Sequence, residues 1–406
     1  MLRLSVFRCA MLLSCLLPFC NASAVTPVEG FYFIDTGFEN ASPVNWTVDE
    51  DHTIQIHLLY DYERVSPNRA AGHWYFKLEA APGTQWTIVF NNLENVWNSR
   101  VSSPASDRTT CSVSADGKAW RVLQTELLEG NRLQVKVTVE AGTLYVARLE
   151  PYTLAHLLAL KQRLSDCPYA EITDMGKTVQ GRTLEMIRMG DPAAPHSIVI
   201  RCRAHPWEPG GNWVVDGLLD RLAQDNTEAI QWRKQFCIYV MPMANKDGVV
   251  LGRTRFNLLG EDLNRKWDKP SDPELAPEKY ALEQWLTKMI TAGRRPDLLI
   301  DFHNDQGGRL HISRPPIENL EAYLQRMEAF EAALRAHTWF TEGSTKASFR
   351  NPGSIGEGVL LRYGIPAVVH ELNANHIAGI DKPAQAKHWQ AYGASLPKVF
   401  AVYFSR

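Results

Sequence analysis

The sequence predicts two structural units, an all-β domain followed by an α/β domain. Residues 25 to about 150 contain many short runs in which β-branched or aromatic residues alternate with polar ones, separated by turn signals such as "APGT" and "ADGK". From "PYTLAHLLALKQRL" onward, apolar residues recur at helical spacing, and helical runs alternate with short apolar β runs. A length of 406 residues also favours two domains over a single core. We therefore expect domains at residues 25–150 and 151–406.

The first 24 residues have the features of an export signal. Arg3 and Arg8 give a positive start, the apolar run "CAMLLSCLLPFC" follows, and Ala22 and Ala24 provide small residues for cleavage after Ala24. A short membrane anchor is the alternative. Later residues contain no run of about 18 apolar residues, so we expect the mature chain to be exported, periplasmic or secreted, without a membrane span.

Charge and cysteine content narrow the classes of protein and site. The formal net charge is -2, and without a basic surplus the sequence does not indicate nucleic-acid binding. Four cysteines follow the signal, and an even number permits disulfides in an oxidising compartment. Buried free thiols are equally expected where a cysteine lies in an apolar β run. The four are Cys111, Cys167, Cys202 and Cys237.

The alternation in residues 25–150 indicates an antiparallel β-sandwich. Runs such as "HTIQIHLLY", "HWYFKLEA" and "RLQVKVTVE" carry this pattern, and none contains a cluster of residues at catalytic spacing. Four tryptophans in the domain allow either a sugar-binding strip or packing in the core or between the domains, and we favour packing. They are Trp74, Trp86, Trp97 and Trp120.

The second domain is predicted to be an α/β layer structure whose sheet is mainly parallel or mixed. Its strand candidates are "SIVIRC", "FCIYVMPM", "DLLIDFH" and "PAVVHEL", and its helix candidates include "NWVVDGLLDRLAQ" and "PEKYALEQWLTKMI". Polar clusters follow all four β runs. Because ligands in such sheets bind beyond the carboxyl ends of the strands, we expect these clusters to converge.

Two histidines and a carboxylate at these strand ends predict a catalytic zinc site. His205 and Glu208 share one short loop, and His303 ends "LLIDFH". This ligand set suits one Zn²⁺ ion and leaves a fourth position for water. We expect Asp301 or a backbone carbonyl to orient one imidazole. Alone, each histidine would more often be a structural residue.

Glu371 is the candidate general base and acid. It follows the apolar run "GIPAVV", which carries it into the interior, where a carboxylate without a partner is costly. Beside an activated water it accepts a proton and returns it to the leaving amine. His370 points to the opposite face of the strand and is interpreted as structural.

The run "GRTRFNLLGEDLNRKWD" supplies candidate substrate-binding groups. Arg265 with Asn264 suits a terminal carboxylate, and Arg255 suits the developing oxyanion of the scissile carbonyl. The alternative is that both arginines form surface ion pairs within the same run, with Glu261, Asp262 or Asp268.

With these residues assembled, the chain resembles the M14 zinc carboxypeptidases, and among them the cytosolic carboxypeptidase branch. "RAHPWEPGGNWVVDG" resembles the H-P-x-E metal loop and its helix, and "MPMANKDGVVLGRTRFNLLGEDLNRKW" resembles the run that ends D-L-N-R. "FENAS", "HWYFKLE" and "VARLEPYT" resemble the N-terminal domain of that branch. The resemblance implies a mixed eight-stranded sheet flanked by helices, and it implies the roles given above for the ligands, Glu371, Arg255, Asn264 and Arg265.

The sequence departs from the family at the substrate side of the site. Trp207 stands where digestive relatives carry an arginine, and Phe349 occupies the neighbourhood of a mobile tyrosine, which we therefore do not assign. Gly358 aligns with an arginine of members that remove glutamate, and Glu357 lies beside it. We expect that acidic C-terminal residues are not preferred and that Glu357 favours a basic side chain or a diamino acid.

The predicted function is zinc-dependent hydrolysis of the C-terminal peptide bond of peptides or proteins. One alternative is a cell-wall amidopeptidase that acts on the stem peptides of peptidoglycan through the same site. A second is a secreted binding protein with a vestigial metal site, and a third is an N-acyl amino acid deacylase. The export signal makes tubulin an unexpected substrate.

Overall fold

The computed structural model describes residues 28–405 and confirms the predicted fold class, a β-sandwich followed by a helix-flanked mixed sheet. The predicted export signal lies outside the described residues. Among the described helices, none combines the length and the apolar character that a membrane crossing requires. The last sandwich strand ends at Ala147 and the next helix begins at Leu154, so the expected division at residue 150 falls between them.

Fourteen short strands build the N-terminal unit. They are β1 Phe31–Asp35, β2 Val44–Val48, β3 Thr53–Leu58, β4 Asp61–Tyr62, β5 Arg69–Ala70, β6 Tyr75–Ala80, β7 Thr84–Asn91, β8 Asn95–Trp97, β9 Arg100–Ser102, β10 Thr110–Ser114, β11 Arg121–Gln124, β12 Glu126–Leu128, β13 Arg132–Val139 and β14 Thr143–Ala147. Two five-stranded sheets have the orders β1-β6-β14-β10-β11 and β12-β13-β7-β3-β2, while β4, β5, β8 and β9 form a separate small sheet.

The sandwich departs from the prediction of purely antiparallel pairing, because β3 and β7 pair in parallel. Between these two strands the chain crosses to the other sheet, where it forms β6, and then returns. Parallel pairing requires such a crossover, because the second strand must start at the same end of the sheet as the first. Trp74 and Trp86 are each only 1% exposed in the sandwich core. The sugar-binding strip is therefore wrong, and core packing explains these two side chains.

The α/β unit begins with a helix and contains nine further strands. Its elements are α1 Leu154–Ser165, β15 Ala170–Lys177, β16 Thr183–Met189, β17 His196–Cys202, α2 Gly210–Ala223, α3 Thr227–Gln235, β18 Phe236–Met241, α4 Lys246–Val250, α5 Pro277–Thr291, β19 Leu298–Asp305, β20 Leu310–His311, α6 Leu320–His337, α7 Ile355–Tyr363, β21 Ala367–Asn373, β22 His376–Ile377, β23 Lys382–Pro383 and α8 Ala386–Phe404.

The main sheet of this unit has the order β15-β16-β18-β17-β19-β21-β20. The four central strands run parallel, and β15, β16 and β20 pair antiparallel at the sides. Helices α1, α2, α3, α6 and α8 pack against one face, and α5 and α7 against the other. Alternate residues of β17 supply the two cores, with Ile198 and Ile200 on one face and Val199 on the other.

The described sheet has seven strands, not the eight that the resemblance implied. At the edge beside β20, Ser344 forms only an isolated parallel bridge to Leu310. The surrounding segment "TEGSTKASF" is polar, and Gly343 adopts a positive φ of 78°, which interrupts extended backbone. Where an eighth strand would pair with β20, the described chain thus forms only this single bridge. The four cysteines in the described residues are free, three of them buried.

Candidate metal and active site

The parallel strands bring the predicted site residues to one edge of the sheet. In the pairing of β17 with β19, Cys202 lies opposite Phe302, and in the pairing of β19 with β21, His303 lies opposite Glu371. His205 and Glu208 follow the end of β17 directly. Residues separated by more than 160 positions along the chain are therefore neighbours because of strand register alone.

His205, Glu208 and His303 meet with their side-chain donors facing one another. The His205 Nδ1 atom is 2.8 Å from Glu208 Oε1, the His303 Nδ1 atom is 2.7 Å from Glu208 Oε2, and the two Nδ1 atoms are 3.2 Å apart. All three residues are buried. Two imidazole nitrogens and one carboxylate focused on a single point form a group that could hold a metal ion.

The outer nitrogen of each imidazole is held by a second carboxylate. The His303 Nε2 atom is 2.6 Å from Asp301 Oδ2, and the His205 Nε2 atom is 3.2 Å from Asp262 Oδ1. Both arrangements direct Nδ1 of the ring toward the shared point, as carboxylate–histidine pairs do at zinc sites. The donor set therefore fits zinc, and Asp301 occupies the orienting position expected from the sequence.

Burial and charge act in opposite directions on the ionisable groups of this cluster. Burial alone would raise the pKa of Glu208, but His205 and His303 lower it to about 2. Burial alone would lower the pKa of His303, but Asp301 and Glu208 raise it well above its usual value. The carboxylates of the cluster thus favour a positive charge at the point that the two imidazoles face, and the imidazoles favour the ionised form of Glu208.

A strained loop residue fixes the geometry of the metal-binding loop. Arg203 adopts a positive φ of 62°, and its guanidinium donates to the carbonyl of Pro206 and to the side chain of Asn212. At the other end of the loop, Gly210 N donates 2.8 Å to the side chain of Asn304, the residue after the third ligand. These contacts hold the loop between β17 and α2 against β19.

Glu371 lies in the same cavity with one free carboxylate atom. Its Oε2 atom is buried and has no hydrogen-bond partner, and its Oε1 atom is 4.0 Å from His311 Nδ1. Burial and then the nearby Asp305 carboxylate raise the pKa of Glu371 well above its usual value. His370 faces the opposite side of the sheet, where its Nε2 atom is 3.2 Å from the Tyr392 hydroxyl.

The predicted substrate-binding groups line a cavity of about 370 Å³ together with His205, Glu208 and Glu371. Arg255 donates 2.8 Å to Asp262, which is buried, so the pair is not the surface ion pair of the alternative interpretation. Asn264 accepts from Ile355 N at 3.0 Å. Arg265 is partly buried, and in the part of the chain that the structure describes no carboxylate lies within 4.0 Å of its guanidinium.

The N-terminal unit forms part of this cavity through the small sheet of β4, β5, β8 and β9. Trp97 lies beneath both substrate-side arginines, 4.2 Å from the Arg255 guanidinium carbon and 5.3 Å from that of Arg265. Asp61 accepts from the backbone N–H groups of Arg255 and Phe256 at 2.7 and 2.8 Å. These groups were missed in the sequence, because aromatic and acidic residues in two- or three-residue strands have no distinguishing pattern.

The structure does not present Glu357 to this cavity as the expectation for a specificity residue requires. Its carboxylate is 1% exposed, pairs with Arg350, and accepts from the Ser313 hydroxyl and Asn351 N. Burial opposes its ionisation, but Arg350 first and then Ser313 lower its pKa below the usual value. A basic substrate side chain would have to displace Arg350.

Packing explains Gly358, the residue beside Glu357. A Cβ atom at this position would lie 2.5 Å from the backbone of Trp267. Nearby, the Phe349 ring packs against His311 with its centroid 5.2 Å away. Neither position supplies a polar group to the cavity.

Comparison with known sequences identifies the family. The profile of zinc carboxypeptidases matches residues 157–306, and the profile of the cytosolic carboxypeptidase N-terminal domain matches residues 34–149. The chain thus carries a zinc carboxypeptidase domain, preceded by the N-terminal domain of the cytosolic carboxypeptidases. The N-terminal match associates the chain with the cytosolic branch of these carboxypeptidases, as its motifs predicted.

Individual relatives cover the chain to different extents. An uncharacterized protein from Zymomonas mobilis is 27% identical over 235 residues, which are 57% of this chain and 58% of that protein. Human cytosolic carboxypeptidase 4 is 37% identical over 137 residues, 34% of this chain but only 12% of the human protein. The chain thus spans less than two thirds of either relative. A metallo-carboxypeptidase structure from Burkholderia cenocepacia shares the fold at 22% identity, with a TM-score of 0.79, covering 92% of this chain and 99% of that one.

Proposed function

We propose that the protein is an exported metallocarboxypeptidase that hydrolyses the C-terminal peptide bond of peptides or proteins. The observation that carries this proposal is the convergence of His205, Glu208 and His303 beside the unpartnered oxygen of Glu371. The zinc carboxypeptidase domain supports the same chemistry. The vestigial-site alternative is less favoured, because the described residues retain every predicted ligand and the predicted base.

The three ligand residues would hold one zinc ion. When bound there, zinc supplies Lewis acidity to the scissile carbonyl and makes water easier to deprotonate. Glu371 accepts the proton of the attacking water on its carboxylate, and it later donates that proton to the departing amine nitrogen. Burial raises the pKa of Glu371, so its ionised form is more basic and takes up the proton that it later returns.

Two further groups define which bond is cut. Arg265, which has no described carboxylate partner, binds the terminal carboxylate of the substrate, with Asn264 beside it. Arg255 is held by Asp262 and Asp61, and it presents its positive charge to the scissile carbonyl as negative charge develops there. A substrate without a free terminal carboxylate would leave Arg265 unpaired, so positioning would fail.

The test compares peptides that differ only in the terminal group. A free-acid peptide is expected to release its last residue, and its C-terminally amidated counterpart is expected to be about 10- to 100-fold slower, because a charge-assisted contact is lost. A chelator is expected to abolish both activities, and added zinc to restore them. Equal turnover of the two peptides would contradict the role of Arg265, and chelator-resistant hydrolysis would contradict the metal site.

Export is a separate part of the proposal and rests on residues 1–24 of the sequence. Expression with the native N-terminus in a Gram-negative host is expected to yield a periplasmic or secreted chain that begins at Val25. Intact mass measurement of the product checks the cleavage site. A full-length chain recovered from the cytoplasm would contradict export.

A further inference from the structure

Four arginines line the cavity that contains His205, Glu208 and Glu371, and they differ in how their charge is balanced. Arg69 pairs with Glu94, and Arg255 pairs with Asp262. Arg265 and Arg148 have no carboxylate within 4.0 Å among residues 28–405. The proposed function uses Arg265 for the terminal carboxylate of the substrate. The second unbalanced cation, Arg148, has no role in that mechanism.

Arg148 is deeply buried where the two units meet. The residue is only 4% exposed. Its Nη1 atom donates a hydrogen bond of 3.1 Å to the carbonyl of Thr110, and its Nη2 atom donates one of 2.6 Å to Asn375 Oδ1. These two bonds use two of the five N–H donors of a guanidinium. Burial lowers the pKa of Arg148 to about 10, which still leaves the group charged at neutral pH.

A buried charge without a partner is costly, and proteins normally pair such groups. The contacts of Arg148 are neutral, since they comprise a carbonyl, an amide and two indole rings, those of Trp74 and Trp207. Since Arg148 lines the cavity, an anion that enters the cavity can supply the missing negative charge. A planar guanidinium is suited to bind a carboxylate through two parallel hydrogen bonds.

We propose that Arg148 forms a second carboxylate-binding subsite, which accepts an acidic side chain on the substrate residue that precedes the scissile bond. The inference rests on the proposed function for its direction along the substrate. Arg265 is bordered by Trp97 and Asn264, whereas Arg148 is bordered by Trp207, between the two metal ligands of the loop. The two cations lie at different parts of the cavity lining, and in the proposed binding mode the terminal carboxylate of the substrate occupies the first and its penultimate side chain the second.

Acetylated peptides that differ only in a penultimate Glu or Gln test this subsite. The last residue is the one that wild-type protein releases fastest in a screen. The expected kcat/KM is about 10- to 100-fold higher for the Glu peptide, as for a hydrogen bond to a charged group. Arg148→Met is expected to remove this preference while the Gln peptide is still cleaved, and Arg148→Lys to retain part of it. The matched control Arg108→Met changes an exposed arginine outside the cavity and is expected to keep the full preference.

A binding measurement keeps the test independent of turnover and of the folding of the Arg148 variants. Titration calorimetry on Glu371→Gln protein is expected to show about 10-fold tighter binding of the Glu peptide than of the Gln peptide. Equal kcat/KM values and equal affinities for the two peptides overturn the subsite, as does a preference that survives in folded Arg148→Met protein. If neither peptide is cleaved but the affinities differ, the proposed function fails and the subsite stands.

Discussion

Glu371 differs from the carboxylates that contact the histidines of the predicted metal site, because no described residue donates a hydrogen bond to it. Both oxygens of Glu208, Asp262 and Asp301 are engaged by histidines or arginines. These three carboxylates position other groups, whereas Glu371 Oε2 is buried without a partner. A free, desolvated acceptor is what proton transfer requires, so we assign the chemical step to this side chain.

Replacing Glu371 by Gln keeps its shape and removes its ability to accept a proton. We expect kcat to fall by about 10²- to 10⁴-fold, the usual contribution of a general base, while the bound metal is unchanged. Steady-state kinetics with parallel metal analysis measures both quantities. Glu357→Gln serves as a comparison because that carboxylate is occupied by Arg350. A Glu371→Gln protein with near-normal kcat would show that another group is the base.

At the scale of elements, the small sheet of β4, β5, β8 and β9 connects the N-terminal unit to the catalytic groups. It presents Trp97 beneath Arg255 and Arg265, and Asp61 to the backbone of Arg255. The loops and ends of the parallel strands of the other unit carry the predicted metal ligands and the predicted base. Each unit thus supplies a different part of one cavity.

Trp97→Leu tests this contribution. Loss of the aromatic surface removes cation–π contacts worth about 0.5–2 kcal/mol, so we expect kcat/KM to fall about 2- to 30-fold, mainly through KM. Trp120→Leu is the matched control, since Trp120 packs on Tyr75 in the sandwich and does not line the cavity. A similar loss for both variants would indicate general destabilisation of the sandwich instead of a specific effect on substrate binding.

The elements that the sequence predicted well are those with a strong periodic pattern. The apolar β runs before His205, His303 and Glu371 form the central strands of the sheet, and their order placed the ligands at one edge. The small sheet was not foreseen, because its strands contain only two or three residues and carry no period-2 signal. The parallel pairing of β3 with β7 depends on a crossover between sheets, which local alternation does not encode.

At the scale of the whole molecule, contacts between the units limit what sequence reasoning can recover. The ligand set was predictable because residue type and strand position together indicate zinc chemistry. The roles of Asp61 and Trp97 depend on contacts with residues about 160 to 190 positions away, and the position of Arg148 depends on Asn375. The pairing of Glu357 with Arg350 was likewise not predicted, because the sequence pattern does not show which side chain reaches this carboxylate.

Stability of the folded molecule is expected to depend on His370. Burial first, and then His311, lower the pKa of His370 to about 3, whereas in the unfolded chain it is about 6.5. Its neutral form therefore contributes stability above about pH 6.5, and that contribution is lost as the pH falls toward 3. Relative to His370→Gln, the wild-type free energy of unfolding should decrease by about 1.4 kcal/mol per pH unit below about 6. Denaturant unfolding of metal-free protein measures this difference.

The matched control for that measurement is His376→Gln, which changes an exposed histidine five residues after Glu371. We expect its stability to follow that of the wild type across the same pH range. Parallel pH profiles for wild type and His370→Gln would show that His370 takes up its proton as readily in the folded chain as in the unfolded chain, which would contradict the effect of burial.

The central claim is that His205, Glu208 and His303 bind one metal ion together, and metal stoichiometry tests it most directly. Wild-type protein equilibrated with zinc and then dialysed is expected to retain one zinc ion per chain by elemental analysis. His303→Ala protein, verified as folded by circular dichroism, is expected to retain almost none. Folded His303→Ala protein that keeps a full equivalent of zinc, or wild-type protein that keeps none, would contradict the account.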